Sequence, residues 1–146
     1  MATDLLSPEL LIALRLMLDT GALVLIWLVQ LVIYPAFLHH KRAGFRVWHP
    51  IYTRRVTFVV LPIMLGQLAV YGWLMLTDRS WDVLLNFVLV LAAWANTFFL
   101  AVPLHAKLDE EDDHLPSATA LLRVNWWRTG LWTVVWAVTV GVVFLA

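Results

Sequence analysis

Five histidines are the residues of this sequence best suited to acid–base or metal chemistry, and they fall in two short segments. His39, His40 and His49 lie in the first segment, and His105 and His114 lie in the second. An imidazole titrates near pH ~6.5, so it can serve as a general base or acid, and its neutral form is a ligand for Zn, Cu and Fe. The sequence therefore offers two kinds of chemistry, proton transfer and metal ligation.

Groups that can work with these histidines stand beside the same segments. Tyr34 and Tyr52 flank the first segment, while Asn125 and Arg128 follow the second. A tyrosine hydroxyl can orient an imidazole, and an arginine next to an amide can hold the oxygen substituents of a ligand. The catalytic candidates are thus His49 and His105 as general bases with Tyr34 and Tyr52 to orient them, and Asn125 and Arg128 are ligand-binding candidates.

Nine tryptophans are the other unusual feature, and four of them fall inside long apolar segments. Trp132 and Trp136 follow Asn125 and Arg128 at helical spacing, which makes one stripe from polar to aromatic. The pattern is typical either of a packing seam or of a pocket with aromatic walls for a flat apolar ligand. Buried indole N–H groups need partners, and the candidates are Gln30, Asn96 and Thr97. The pocket hypothesis adds Trp132, Trp136, Asn96 and Trp94 to the ligand-binding set.

The elements that must position these residues are long and apolar. Apolar residues make up 62% of the chain and charged residues 14%, against ~45–50% and ~25% in soluble domains. Four segments, at about 16–37, 56–76, 81–102 and 126–146, are long enough to cross a bilayer core of ~30 Å as helices. Short connections make sequential helices antiparallel. We predict one all-α domain over 1–146, an integral membrane four-helix bundle with up-down-up-down topology and no evident internal repeat.

The distribution of Lys and Arg predicts the orientation of this bundle. Eight of the ten basic residues lie in or beside the first and third connections, namely Lys41, Arg42, Arg46, Arg54, Arg55, Lys107, Arg123 and Arg128. The positive-inside rule then places these two connections in the cytoplasm and both termini on the non-cytoplasmic side of the cytoplasmic (inner) membrane. The N-terminus lacks the basic region of a cleavable signal, so we expect the first helix to stay in the mature protein.

Charge and cysteine content exclude several classes. The net charge is zero, so nothing favours nucleic acid as a partner. There is no cysteine, which excludes disulfides, thiolate metal sites and thiol nucleophiles. Arg15 and Asp19 are four residues apart, so we expect an ion pair within the first helix. We expect the acidic run at 109–113 to be a solvated loop that lacks the spacing of a calcium site.

Metal or haem ligation by His39, His49 and His105 is the alternative use of the histidines, and the sequence names no cofactor. No His-x-x-His or His-Glu-x-x-His motif is present. The one Glu-x-x-His, from Glu111 to His114, lies in the acidic run, whereas a di-iron bundle needs two such motifs facing its core. The pattern therefore favours proton transfer over a metal centre.

Several local patterns resemble those of a known family. They are Ile33-Tyr34-Pro35-Ala36-Phe37, Phe45-x-x-x-His49-x-x-Tyr52, Pro103-Leu104-His105 and Asn125-Trp126-Trp127-Arg128-Thr129 with Trp132. Together they are similar, over nearly the whole chain, to small bacterial four-helix membrane proteins of the anthrone-oxygenase-like family. The resemblance implies oxidation of a polycyclic aromatic substrate, and the residues that match its motifs are Tyr34, His49, Tyr52, His105, Asn125 and Arg128. The chain also loosely resembles four-helix protoporphyrinogen oxidases, which carry a histidine within the first helix where this chain has none.

Two hypotheses of function follow. In the first, a pocket facing the cytoplasm binds a flat hydrophobic ligand (polycyclic aromatic, quinone or porphyrin-like) and oxidises it, as a membrane oxidoreductase. In the second, the protein is a non-catalytic structural or accessory subunit, whose partners are neighbouring subunits of a larger membrane complex. Both place the protein in a lipid bilayer, and both are compatible with a homo-oligomer. The deciding observation is whether His49, His105, Asn125 and Arg128 point at one another around a cavity.

Overall fold

The computed structural model describes residues 7–145, and four long helices contain nearly all of them. We number them α1 (Pro8–Phe37), α2 (Arg42–Thr77), α3 (Trp81–Glu110) and α4 (Leu115–Leu145). Each is long and apolar enough to cross a membrane. The four predicted spans lie within these helices, apart from Ala146, which is outside the described residues.

The helices form the predicted antiparallel four-helix bundle. Each helix packs against the next in sequence, and α4 packs against α1 to close the ring. Residues 38–41 connect α1 to α2 and residues 111–114 connect α3 to α4 at one end, which we call the histidine end. Residues 78–80 connect α2 to α3 at the other end, which we call the Arg15 end.

The start of α1 follows from three consecutive residues. The Ser7 hydroxyl accepts a hydrogen bond from the Leu10 backbone N–H at 3.2 Å, Pro8 takes the first helical position, and Glu9 lies in the first turn. The hydroxyl satisfies one of the free N–H groups at the helix start, and the acid is favoured there by the helix dipole. The chain therefore enters the first helix at the position that the sequence predicts.

Two π-helical turns interrupt α1 and α3 near the middle of the bundle. They span Val29–Ile33 in α1 and Thr97–Ala101 in α3. In each, the residue that ends the turn donates its N–H to a carbonyl five residues back, and that residue is followed by a proline, Pro35 or Pro103. Proline lacks an N–H and disturbs the regular helical ladder, and π turns absorb such disturbances. As a result α1 and α3 continue past their prolines to the histidine end.

The apolar core forms three layers along the bundle. At the histidine end it surrounds Phe37 and Phe45, which are fully buried. In the middle it packs around Trp132, and at the Arg15 end around Tyr71. In the last of these regions α1 comes close to Gly66 of α2, where a Cβ atom would lie 2.8 Å from Leu18.

The predicted ion pair between Arg15 and Asp19 is wrong. The Arg15 guanidinium instead donates to the Asp82 carboxylate of α3 at 2.9 Å, and both side chains are buried. Asp19 is fully buried and accepts hydrogen bonds from Gln67, Tyr71 and Thr139 at 2.6–2.8 Å. Spacing within one helix suggested the pair, but the bundle offers each charge better partners on facing helices, where a buried charge needs them most.

Candidate functional site

Four hydrogen bonds join buried and half-buried polar groups of the histidine end into one chain, which we call the relay. The Asp109 carboxylate lies 2.6 Å from His49 Nδ1, and His49 Nε2 lies 2.9 Å from His105 Nδ1. His105 Nε2 lies 2.9 Å from the Tyr34 hydroxyl, which accepts from Arg128 at 3.0 Å. The relay therefore joins all four helices.

The hydrogen bonds of the relay from Tyr34 to Asp109 can all be donated in the same direction. A carboxylate only accepts, so His49 donates from Nδ1 to Asp109 and its Nε2 must accept when the ring is neutral. His105 then donates from Nδ1 and accepts at Nε2 from the Tyr34 hydroxyl. Each of these three groups thus gives one hydrogen bond and takes one. Such a chain can pass a proton from the Tyr34 oxygen to Asp109 with each group releasing one proton and receiving another.

Local structure holds the relay in place. His105 and Asp109 are four residues apart on α3, so they lie on one face, and His49 of α2 fits between them. The His49 ring is fully buried and packs edge-on against Phe37 and stacked on Phe45, with ring centroids 5.4 Å and 4.9 Å away. At its outer end the relay reaches the surface through Asp109, whose side chain is 35% exposed.

The start of α2 is fixed to the end of α3, which keeps His49 opposite its partners. The Arg42 guanidinium donates to the carbonyl oxygens of Leu108 and Asp109 at 2.8 and 3.3 Å. These carbonyls belong to the last turn of α3, where the C=O groups have no N–H partner within the helix. A basic side chain at a helix C-terminus is also favoured by the helix dipole.

A cavity of about 460 Å³ lies between the four helices and meets the relay at its inner end. Its polar lining includes Tyr34, His105, Arg128 and Thr97, and most of the rest is apolar. Its remaining walls are Leu25, Ile26, Val29, Tyr52, Thr53, Val56, Thr57, Val60, Leu61, Met64, Trp94, Phe98, Ala101, Val102 and Trp132. Several lining residues of α2 and α3 are exposed on the outer surface, namely Thr57, Leu61, Phe98 and Val102. The cavity is thus bordered by the lipid-facing surface between these two helices.

Arg128 is held at the cavity wall by amide groups. Its Nε donates to the Asn125 amide oxygen at 3.0 Å, and the Asn125 nitrogen donates to Gln30 at 2.8 Å. A longer bond of 3.4 Å joins its Nη1 to the Thr97 hydroxyl. Asn125 is fully buried, so these contacts fix the direction of the guanidinium from one side. On the cavity side the guanidinium donates to Tyr34 and, through the longer bond, to Thr97, and its Nη1 makes no other hydrogen bond within residues 7–145.

Most of the residues predicted for the site come together, and two do not. The relay and its support contain Tyr34, His49, His105, Asn125 and Arg128, while Tyr52, Trp94 and Trp132 line the cavity. Asn96 is buried but is not part of the lining. Trp136 lies apart, where its indole donates to Thr20 of α1 at 3.1 Å.

The predicted partners of the indoles were wrong in two cases. Trp132 donates to the Gln67 side chain at 3.0 Å and Trp136 donates to Thr20, rather than to Gln30, Asn96 or Thr97. The Trp94 indole nitrogen is buried and has no hydrogen-bond partner among residues 7–145. It is a free donor on a residue of the cavity wall.

Asp109 is the residue of this candidate site that the sequence does not single out. The acidic run was expected to be a solvated loop, but α3 continues through Asp109 to Glu110. Asp109 therefore lies one helical turn beyond His105 and reaches His49. The spacing His105-x-x-x-Asp109 could have indicated this residue. It places both side chains on one face only if the helix continues past Pro103.

His39 does not join the other two histidines of the predicted metal set. It is exposed in the connection after α1, whereas His49 and His105 face each other through ring nitrogens. Within the described part of the chain, no group of three or more His, Cys, Asp and Glu side chains is arranged to hold a metal ion. His49, His105 and Asp109 are instead joined in a chain of hydrogen bonds.

Comparison with known protein families, with curated proteins and with solved structures found no match for this chain. The resemblance drawn from the short motifs therefore stays a prediction.

Proposed function

We propose that this protein binds a flat hydrophobic molecule with a hydroxyl or carbonyl oxygen in the central cavity, and exchanges a proton with it through the relay. The observation that carries the proposal is the meeting of an apolar cavity with a directional chain of hydrogen bonds. Large apolar cavities with a few convergent polar groups are typical of small-molecule sites.

The chemistry follows from the order of the groups. A hydroxyl of the bound molecule donates to the Tyr34 oxygen, and the Tyr34 proton moves to His105 Nε2. The His105 Nδ1 proton moves to His49, and the His49 proton moves to Asp109, which releases it to water. One O–H bond of the ligand breaks, and one proton reaches the solvent. General base catalysis of this kind contributes ~10²–10⁴ in rate.

The family resemblance suggests the reaction that follows proton removal, which is oxidation of the aromatic ring system. With a hydroquinone as substrate and dioxygen as oxidant, two electrons and two protons leave the ring, and quinone and hydrogen peroxide form. The Lys and Arg distribution supports placing the histidine end in the cytoplasm of a cell with the protein in its inner membrane. Asp109 would then release its proton on that side.

Binding can be tested by the quenching of tryptophan fluorescence by anthraquinone, since Trp94 and Trp132 line the cavity. Ala101 is 1% exposed and lines the cavity, so Ala101→Phe fills the site and should abolish quenching. Ala137→Phe is the matched control, because Ala137 is exposed on α4. Equal quenching in both variants would mean that the ligand binds elsewhere.

Proton transfer can be tested by the oxidation of 1,4-naphthohydroquinone in air, followed as the absorbance of the quinone. Asp109→Asn keeps an acceptor for His49 but cannot take up a proton, so we expect the catalysed rate to fall about 100-fold or more. Asp112→Asn is the control, because its carboxylate is fully exposed and lies 3.9 Å from Arg46. If the two variants are equally active, the relay is not the path of the proton.

The alternative of a non-catalytic subunit does not require a directional relay or a cavity at its inner end. It predicts that the protein co-purifies with other membrane proteins in mild detergent. It also predicts that Ala101→Phe leaves the complex intact and that no aromatic molecule quenches the wild type.

A further inference from the structure

The positive charge of Arg128 has no anionic partner among residues 7–145. Its side chain is 6% exposed and bonds only neutral groups, those of Asn125, Tyr34 and Thr97. No carboxylate among residues 7–145 lies within 4.0 Å of its guanidinium. Burial of a charge without a partner is strongly unfavourable, so buried charges in proteins are usually paired.

The other buried arginine shows how this chain meets that requirement elsewhere. Arg15 is also 6% exposed, and the Asp82 carboxylate lies 2.9 Å from it. At the histidine end the corresponding acid, Asp109, bonds His49 and is separated from Arg128 by His49, His105 and Tyr34 of the relay. Of the two arginines that are buried among residues 7–145, the one that lines the cavity therefore lacks a local carboxylate.

We propose that the ligand itself supplies the missing charge: the bound species is a hydrophobic monoanion whose oxygen pairs with Arg128. This inference rests on the proposed function and narrows its ligand to flat weak acids, such as phenols and enols. Arg128 is the one Lys or Arg side chain of the cavity wall, so a single negative charge balances it. Its Nη1, which has only the 3.4 Å bond to Thr97, has hydrogen to spare for the ligand.

The relay and the arginine then act on the same oxygen in sequence. The relay removes the proton of the ligand hydroxyl to Asp109 and the solvent, and the oxygen left behind carries the charge. The Tyr34 hydroxyl and the Arg128 guanidinium are 3.0 Å apart, so an oxygen in contact with one is within reach of the other. A charge-assisted hydrogen bond in a dry site is stronger than a neutral one.

The test compares 2-hydroxyanthraquinone with its methyl ether, 2-methoxyanthraquinone, which has the same ring system but cannot ionise. The protein is held in nanodiscs of phosphatidylcholine at a pH where the free hydroxyl compound is neutral. We expect the bound hydroxyl compound to show the absorption band of its anion. In Arg128→Met this band should be lost and binding should weaken about 10- to 100-fold, while Arg128→Lys should restore the band in part.

Two controls distinguish the loss of the Arg128 charge from a general effect of the substitution on the structure. Arg123→Met removes an exposed arginine of the same helix and should change neither compound. The methyl ether should bind the wild type and Arg128→Met with similar affinity, since it brings no charge. If Arg128→Met fails to fold, the inference is tested by the anion band in the wild type and by its weaker form in Arg128→Lys. A band of full strength in Arg128→Lys, or no band in the wild type, would contradict it.

Each remaining outcome counts against the inference. A bound hydroxyl compound that stays neutral in the wild type, or an anion band that persists in Arg128→Met, overturns it while leaving ligand binding intact. If neither compound binds the wild type, the proposed function itself fails. If phosphatidylglycerol in the disc displaces the hydroxyl compound, the anion at Arg128 is a lipid phosphate and the assignment to weak acids is wrong.

Discussion

Removal of one oxygen atom, in Tyr34→Phe, should destabilise the protein far more than the same change at Tyr52. The Tyr34 hydroxyl is buried and joins His105 to Arg128 with bonds of 2.9 and 3.0 Å. Without it, His105 Nε2 and one N–H of Arg128 lose their partner. A buried polar group left unpaired costs ~1–3 kcal/mol, and Arg128 keeps its bonds to Asn125, so we expect the free energy of unfolding to fall by about 2–4 kcal/mol.

Tyr52→Phe is the matched control, since both rings line the cavity. The Tyr52 ring stacks on Trp48 at 5.1 Å, a contact that phenylalanine keeps, and no described residue bonds its hydroxyl. Its unfolding free energy should stay within about 0.5 kcal/mol of the wild type. Both values can be measured by equilibrium unfolding in mixed SDS micelles, with circular dichroism as the signal. If the two variants lose the same stability, the Tyr34 hydroxyl does not join the relay.

Two further substitutions test other parts of the bundle by the same unfolding assay. Asp19→Leu removes the acceptor of Gln67, Tyr71 and Thr139, and since the two hydroxyls also bond each other at 3.0 Å, it leaves the Gln67 amide and one hydroxyl hydrogen unpaired. It should lower the free energy of unfolding by about 2–5 kcal/mol, whereas Asp19→Asn, which keeps an acceptor, should lower it less. Equal losses in the two would show that the donors have other partners. Gly66→Ala places a Cβ 2.8 Å from Leu18 and should be about 1–3 kcal/mol less stable than Gly72→Ala, whose Cβ meets no atom within 4 Å. A Gly66 variant as stable as the Gly72 variant would show that Leu18 moves aside freely.

The fold and much of the site could be predicted because they depend on composition and topology. Apolar segments of spanning length with short connections specify an antiparallel bundle, and in such a bundle the ends of all four helices meet. This is sufficient to bring His49 of α2 close to His105 of α3, and Tyr34 close to Arg128. No knowledge of side-chain packing is needed for that step.

The partners of individual polar groups could not be predicted in the same way. Asp109 depends on α3 continuing past Pro103, which a rule that ends helices near proline does not anticipate. The pairing of Arg15 with Asp82 depends on which faces of α1 and α3 meet, and the spacing to Asp19 within one helix pointed elsewhere. Trp136 was placed in the stripe by its spacing from Trp132, but the buried positions of α4 continue through Val135 and Thr139 instead.

The two π turns change the rotational phase of α1 and α3 part-way along their length, while α2 and α4 are continuous α-helices. A π turn contains one residue more than a turn of α-helix, so every position after it is offset by about 100° around the axis. On these two helices, residues near the Arg15 end, such as Asp19, and residues of the relay therefore follow separate registers. The cavity lies at the level of the turns and is lined by Val29, Thr97, Phe98 and Ala101 of the turns themselves. Deleting a single residue from either turn should therefore change the shape of the cavity as well as misalign the relay.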